Sequence, residues 1–417
     1  FRFQLDMEDL GEEDLEALAV LAHLVQDFQR GDIVIGGEKT AGMGWVEGTL
    51  SQVEWLTGSP EGVGQTLFGD RPLSPDGVWQ RLDLEDEDAQ EVLASFPPLM
   101  PANTVAAITQ PVRTGEGYIS HRAFGGHCGL LVVEAEVLTP LHIQESGEPS
   151  YRAHLADGPV NGWDFFSMAP PEAAHRPEAR TYALPSLSLR GMLRHIYTIA
   201  SDARQESQDI GRLNPADHLF GWVGKGPNQA LTGRVSVGFG LFQEPTLAWF
   251  KVPYPYGAWT YAGGAWQQRA SGPADALHIA GTWRLFPHRP LAPIAVQQED
   301  FQPDTAQANY FRAILPGSRA RFTIRFWNLE DEELRRLLWV VALEPDLAHK
   351  MGKHRYLGFG SLRFHIQPQS HLVDWAARYA GAPEERWQQP LDLDAWLDPN
   401  VVRHYRALRE ALHAGQL

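Results

Sequence analysis

The chain contains one segment type twice, and that repeat limits what it can fold into more than any other feature. Phe1-Arg-Phe-Gln-Leu-Asp-Met-Glu-Asp-Leu10 and Ala320-Arg-Phe-Thr-Ile-Arg-Phe-Trp-Asn-Leu329 both alternate like half-buried strands. Each leads into an acidic run, Leu10-Gly-Glu-Glu-Asp-Leu15 and Leu329-Glu-Asp-Glu-Glu-Leu334, which suits the positive end of a helix dipole. Apolar residues at helical spacing follow: Leu15, Leu18, Ala19, Ala22 and Val25 in the first copy, Leu334, Leu337, Leu338 and Val341 in the second. Both copies then enter a glycine loop, Gly36-Gly-Glu-Lys-Thr-Ala-Gly-Met-Gly44 and Gly352-Lys-His-Arg-Tyr-Leu-Gly-Phe-Gly360, and run on into a strand, Trp45-Val-Glu and Ser361-Leu-Arg-Phe-His-Ile366. Strand, helix, glycine loop and strand, recurring roughly 320 residues apart, predict two copies of one α+β domain type. Residues 1–55 are read as the C-terminal part of the first, whose beginning lies upstream of Phe1 or on another chain.

The remaining boundaries follow from composition. Residues 56–118 are rich in Pro, Gly and acidic side chains and read as a linker. Residues 119–370 hold the complete domain. Its first strand is Leu130-Leu-Val-Val-Glu-Ala-Glu-Val-Leu138, closing on Thr139-Pro140. Residues 144–180 read as loop. From Leu189 to about Ala203 the spacing is helical, with Leu189, Met192, Leu193 and Ile196 on one face and Arg190 and Arg194 on another. Residues 371–417 form a helical extension expected to cap the second domain.

Several functional classes are disfavoured before any motif is considered. There is no apolar run of about 18 residues and no basic-then-apolar leader, so the expectation is a cytoplasmic protein without a membrane partner. The single Cys128 leaves no disulfide framework and no multi-cysteine zinc site. A net charge of −17 opposes any whole-surface attraction to nucleic acid, so an RNA site must be a local basic track.

Four motifs in order resemble the RAMP superfamily of CRISPR-associated proteins. They are Leu138-Thr-Pro-Leu-His-Ile143, Leu184-Pro-Ser-Leu-Ser-Leu-Arg-Gly-Met-Leu-Arg194, Leu219-Phe-Gly221 with Gly233-Arg-Val235, and Leu343-Glu-Pro-Asp-Leu-Ala-His-Lys-Met-Gly-Lys-His-Arg-Tyr-Leu-Gly-Phe-Gly-Ser361. The resemblance covers roughly residues 115–370, and the likeness is greatest to the fused multi-domain proteins of type III, subtypes D and E. It implies a ferredoxin-like, modified RNA-recognition fold with insertions. It also implies a backbone subunit that holds CRISPR RNA, meets target RNA and docks against neighbouring RAMP domains. Ser186-Leu187 departs from the family's Gly-Ser, and Leu213-Asn-Pro-Ala-Asp-His218 lacks the cysteines that relatives carry, so any knuckle there is held without zinc.

The residue chemistry agrees with RNA binding. Gly352, Gly358 and Gly360 would let the backbone approach phosphates, with Lys353, His354 and Arg355 for charge and Tyr356 for stacking. Arg190 and Arg194, four apart near a helix start, suggest a phosphate clamp. Lys225 between two glycines and Lys39, aligned with Arg355, are further candidates. The competing reading is an RNA endonuclease. Asp157 or Asp164 would then serve a Mg²⁺-dependent cut of target RNA, or His142 would act as general acid or base in CRISPR RNA processing. The holding role is preferred, because Asp157 lies in a turn sequence and Asp164 between aromatics; it needs no cofactor.

Overall fold

A computed structural model of the protein describes residues 15–36, 44–49, 51–56, 79–83, 110–145, 147–168, 180–253, 258–270, 276–303 and 309–417. These residues build a mixed α+β structure. They fall into two units: those before residue 109 together with Asp374–Gln389, and those from residue 110 to Val373 together with Pro390–Leu417.

The larger unit is organised by four strands and two helices. Strand β1 is His127–Val137, helix α1 is Ser186–Ala200, and β2 comes in two pieces, Val235–Val237 and Gly240–Phe242. Strand β3 is Arg319–Leu329, helix α2 is Asp331–Ala342, and β4 is Ser361–Ile366. Their order in the sheet is β4-β1-β3-β2, every neighbouring pair antiparallel. Alternation explains which face is buried. Leu131, Val133 and Ala135 of β1 and Phe322, Ile324 and Phe326 of β3 turn into one core. There they meet Leu189, Leu193 and Ile196 of α1 and Leu334, Leu337, Leu338 and Val341 of α2. Each such side chain, fully buried, contributes about 1.5–3 kcal/mol. The opposite face is polar: Arg319 lies opposite Glu136 in the register and pairs diagonally with Glu134 at 3.1 Å.

The acidic start of the second repeat does more than answer a helix dipole. Glu330 and Glu333 cap α2 reciprocally, and Glu333 also receives the buried Arg234 guanidinium, Nη1 donating to Oε2 at 2.7 Å. Arg234, 1% exposed, is thereby tied to α2, and its Nη1 also donates to the Asn328 carbonyl at 2.6 Å.

The loop expected over 144–180 is partly sheet. Tyr151–Leu155 and Gly158–Trp163 form a hairpin around the turn Ala156-Asp157, and the second strand pairs in parallel with Asn309–Ile314. Its partner lies far along the chain, and its own residues are polar enough to hide the alternation. Within the expected linker, Trp79–Asp83 pairs with Gln52–Leu56.

In the smaller unit, helix Leu15–Gln29 is followed by the pair Ile33–Val34 and Trp45–Val46. The expected strand Phe1–Leu10 and acidic turn Gly11–Asp14 lie outside the described residues. Asp374–Gln389 belongs to this unit, whereas the sequence suggested that all of 371–417 caps the other. The cause is Arg378, 5% exposed, which bonds to Asp27 and, at 2.7 Å, to Asp32; Tyr379 adds a bond to Asp27 at 2.9 Å. Residues 390–417 do join the larger unit, with Leu408, Ala411 and Leu412 in its core. Among the described residues, no helix is long and apolar enough to cross a membrane.

Candidate functional site

Where β1 ends, the chain Thr139-Pro-Leu-His142 is joined to the glycine loop atom by atom. Gly360 N–H donates to the Pro140 carbonyl at 2.9 Å and Lys353 N–H to the His142 carbonyl at 2.8 Å. The Thr139 hydroxyl donates to the Gly358 carbonyl at 2.9 Å and accepts Ser361 N–H at 3.0 Å. Glycine is required here by the protein's own backbone. A Cβ at Gly352 would lie 2.4 Å from the His142 oxygen and one at Gly360 1.9 Å from the Met351 oxygen, with φ of +83° and +78°. At 352 and 360 the turn itself thus accounts for glycine, and Gly352 also lines the cleft beside this junction. Gly358, at φ +109°, has no such clash and sits against Leu291.

Beside this junction runs a cleft of about 380 Å³. Ile143 and Gln144 beyond β1, Ser188, Gly191, Met192 and His195 of α1, Arg284 and Phe286, and Lys350 to Lys353 with Arg355 line it. Lys350, Lys353, Arg284 and Arg355 therefore share one cleft, and among the described residues no carboxylate lines it. For a chain of net charge −17 this is a concentrated basic spot.

Lys353 and Arg355 are exposed on the loop, two residues apart. Lys353 Nζ bonds to Gln144 Oε1, and the Arg355 guanidinium lies 5.5 Å from the Phe286 ring centre. Arg284 approaches the same ring at 4.7 Å. Lys350 is 6% exposed, its Nζ donating to the Gly358 carbonyl and Ser361 Oγ, each at 3.0 Å. Burial, reinforced by the like charges of Arg289 and Arg355, pushes its ammonium down to about 7.

His354 and Tyr356 turn inward. His354 sits at φ +59° with its ring stacked on Phe311 at 4.4 Å and on His142 at 6.0 Å, and burial holds it well below the usual histidine range. It is a packing residue, which corrects its assignment to RNA. The Tyr356 hydroxyl donates to the Pro253 carbonyl at 3.2 Å, so the ring is anchored at its polar end.

Arg190 and Arg194 do not line the cleft. Both turn toward the short helix Pro215–Phe220: Arg190 bonds to the Phe220 carbonyl and Arg194 to Asp217. Asp217 also accepts from the Ser207 hydroxyl and the Asn214 amide, each at 2.7 Å. The segment 213–218 is thus held by one carboxylate, and the arginine pair expected as a phosphate clamp is engaged in structural contacts. Lys225 is exposed at the tip of the hairpin formed by Gly221–Val223 and Ala230–Thr232, away from the cleft lining. Lys39 lies outside the described residues.

The catalytic candidates occupy structural places. His142 is 1% exposed, its Nδ1 donates to the Arg312 carbonyl at 2.8 Å, and burial pushes it down to about 3. An imidazole so enclosed stays neutral and cannot cycle a proton near neutral pH. Asp164 is buried, accepting Phe165 N–H at 2.7 Å, Arg180 at 3.2 Å and the Tyr182 hydroxyl at 3.3 Å. Asp157 is exposed at its two-residue turn. Among the described residues, no group of three or more His, Cys, Asp or Glu side chains could hold a metal ion.

The sequence reading passed over Lys350, Arg284 and Phe286. Lys350 stood two residues before a motif glycine as one more basic residue, and Trp283-Arg-Leu-Phe286 carried no family signature. Only alternation of the strand Trp283–Leu285, which turns Arg284 outward between buried neighbours, could have pointed to it. Comparison with protein-family models matches none to this chain, and comparison with curated proteins likewise finds no match.

Proposed function

We propose that this chain is an RNA-binding backbone subunit of a type III CRISPR effector complex, built on a ferredoxin-like RAMP domain preceded by the C-terminal part of another. The observation that carries the reading is the cleft. The end of the Thr139-Pro-Leu strand, the helix of the Leu-Arg-Gly-Met-Leu-Arg motif and the glycine loop, up to about 200 residues apart in sequence, line one basic groove that has no carboxylate among the described residues. The order β4-β1-β3-β2 with two helices on one face supports the ferredoxin-like assignment, since that is the arrangement two βαβ units produce when they interlock.

In this reading the cleft grips the phosphate backbone of CRISPR RNA, which then pairs with target RNA, and neighbouring RAMP domains continue the track in a cytoplasmic assembly. The grip reads charge and shape, since Lys353, Arg355, Arg284 and Lys350 carry no base-specific geometry. The domain holds RNA and does not cut it, consistent with the structural engagements of Asp164 and His142.

The test is titration of an unstructured single-stranded RNA over a salt series. Replacing Lys353 and Arg355 together by Ala should weaken binding and flatten the salt slope by about one to two counterions. An unchanged affinity and slope would reduce the glycine loop to a turn and remove the reading's main support.

A further inference from the structure

Lys350 differs from the exposed Lys353 and Arg355 of the cleft in being buried, at its floor, with no counter-ion among the described residues. Its ammonium carries three N–H donors. Two meet the Gly358 carbonyl and Ser361 Oγ. The described residues supply no carboxylate as a third partner, and the charged groups that act on it are basic. Arg289 and Arg355 repel it. His288 stands behind Ser361: its Nε2 faces the Ala348 carbonyl at 2.9 Å and must carry the hydrogen, so its Nδ1, 2.9 Å from Ser361 Oγ, accepts from the hydroxyl. Ser361 therefore turns a lone pair toward Lys350 and its proton toward His288. The neighbouring His349 is fully buried and bonded to the Val340 carbonyl. On the open side, Lys353, Arg284 and His195 line the same cleft.

A buried ammonium without a carboxylate is costly and resolves in one of two ways: it sheds its proton, or an anion arrives. We propose that Lys350 receives a phosphate oxygen of the bound RNA strand at the floor of the cleft, and that filling this site takes up a proton. The ligand class, a phosphodiester, rests on the RNA reading above; the need for an anion rests on the geometry alone. A buried ammonium with one N–H left over and no carboxylate among its described partners favours a negative acceptor, and a phosphate oxygen is a hydrogen-bond acceptor that matches that N–H. The depressed ammonium of the empty site agrees, because it leaves Lys350 partly neutral near pH 7 until a negative charge restores it. Lys353 and Arg355, being exposed, supply affinity that depends on salt. Lys350 adds affinity that depends on pH.

The experiment measures affinity of the full chain for oligouridine at constant ionic strength across pH. For the wild type it should fall about tenfold or more between about pH 6.5 and pH 8.5, and calorimetry in two buffers of different ionisation enthalpy should count about one proton taken up near pH 8. Lys350→Met should bind more weakly at the acidic end and show little pH dependence, with its melting curve as the check on folding. If it fails to fold, the proton count on the wild type decides: zero protons overturns the inference. RNA binding that is equally tight and equally flat in both proteins overturns it as well, and leaves the RNA reading standing. If the wild type binds no RNA at any pH, the RNA reading fails and inorganic phosphate becomes the probe. Thermal stabilisation by phosphate at pH 6.5, absent at pH 8.5 and absent in Lys350→Met, keeps Lys350 as an anion site, whereas no stabilisation ends it.

Discussion

The strand pair of Ile33–Val34 with Trp45–Val46 and that of His349–Lys350 with Ser361 and Leu362 share a pattern of pairing and differ in chemistry. In the first, Ile35 N–H donates to the Gly44 carbonyl at 2.7 Å; in the second, Met351 N–H donates to Gly360 at 2.9 Å. Gly44 and Gly360 both have φ +78°, and an added Cβ would lie 2.0 Å and 1.9 Å from the carbonyl oxygen of Ile35 and Met351. The pairing of Ile33 with Val46 and Val34 with Trp45 matches that of His349 with Leu362 and Lys350 with Ser361. Yet where one hairpin has Ile33, Val34 and Trp45, the other has His349, Lys350 and Ser361. The glycines thus specify how the chain turns, and the flanking strand positions decide whether the turn carries a buried charge. A glycine loop by itself is not evidence for a phosphate site.

The largest expected effect tests the shared backbone. Gly360→Ala should destabilise the larger unit by about 3 kcal/mol or more, since a left-handed conformation and a backbone clash are both made worse, and Gly44→Ala should act similarly on the smaller unit. Chemical denaturation followed by spectroscopic probes of each unit would show it. A loss below about 0.5 kcal/mol at either position would break the equivalence of the two turns.

Next comes the charge. Lys350→Val gives the second hairpin the residue of the first. The folded-state pKa of Lys350, about 7, lies below the ordinary lysine value of 10.5, so the unfolded chain binds the extra proton between those limits. The wild type's burial cost is therefore full below about pH 7 and is relieved as pH rises toward 10.5, on the order of a few kcal/mol in all. Melting temperatures over this window should rise with pH more steeply for the wild type than for Lys350→Val. Parallel curves would mean that Lys350 is not a buried charge.

A smaller effect belongs to His349. Burial pushes it down to about 4, from the ordinary histidine value of 6.5, so the unfolded chain again binds the extra proton and stability falls as pH drops through that interval. His349→Ile, which copies Ile33, should remove about 1–3 kcal/mol of the acid sensitivity. His142 and His288, each pushed to about 3, and the buried His354 would add to it, and denaturation near pH 4 to 6 separates the contribution of His349. The smallest effect should come from Asp157→Ala, at a solvated turn outside both hairpins: within about 0.5 kcal/mol in stability, with RNA affinity unchanged in the same titration.

Local periodicity was enough to reveal the helix Leu15–Gln29, the start of α2, strand β1 and the turns at Gly44 and Gly360, because neighbouring residues settle each of these. The matching strand pairs beside Gly44 and Gly360 were legible for the same reason, since a glycine needed at positive φ leaves its mark wherever such a turn recurs. Sequence alone also carried the mixed α+β character and the need for any basic site to be local. The destination of each side chain was settled elsewhere. Arg190 and Arg194 look like a solvent-facing pair until Asp217 and the Phe220 carbonyl arrive from a segment about 25 residues away. Arg378 appears to belong to a C-terminal cap until Asp27 and Asp32, far back in the chain, claim it. His354 reads as one basic residue among three, but its left-handed backbone turns the ring onto Phe311 while Lys353 and Arg355 remain outside. Lys350 is indistinguishable in sequence from a solvated lysine, and only the closing of Gly358, Ser361 and His288 around it makes it a buried cation in a cleft. Hydrogen bonding and burial act between residues that folding brings together, so charge, exposure and partnership at this site are properties of the tertiary structure.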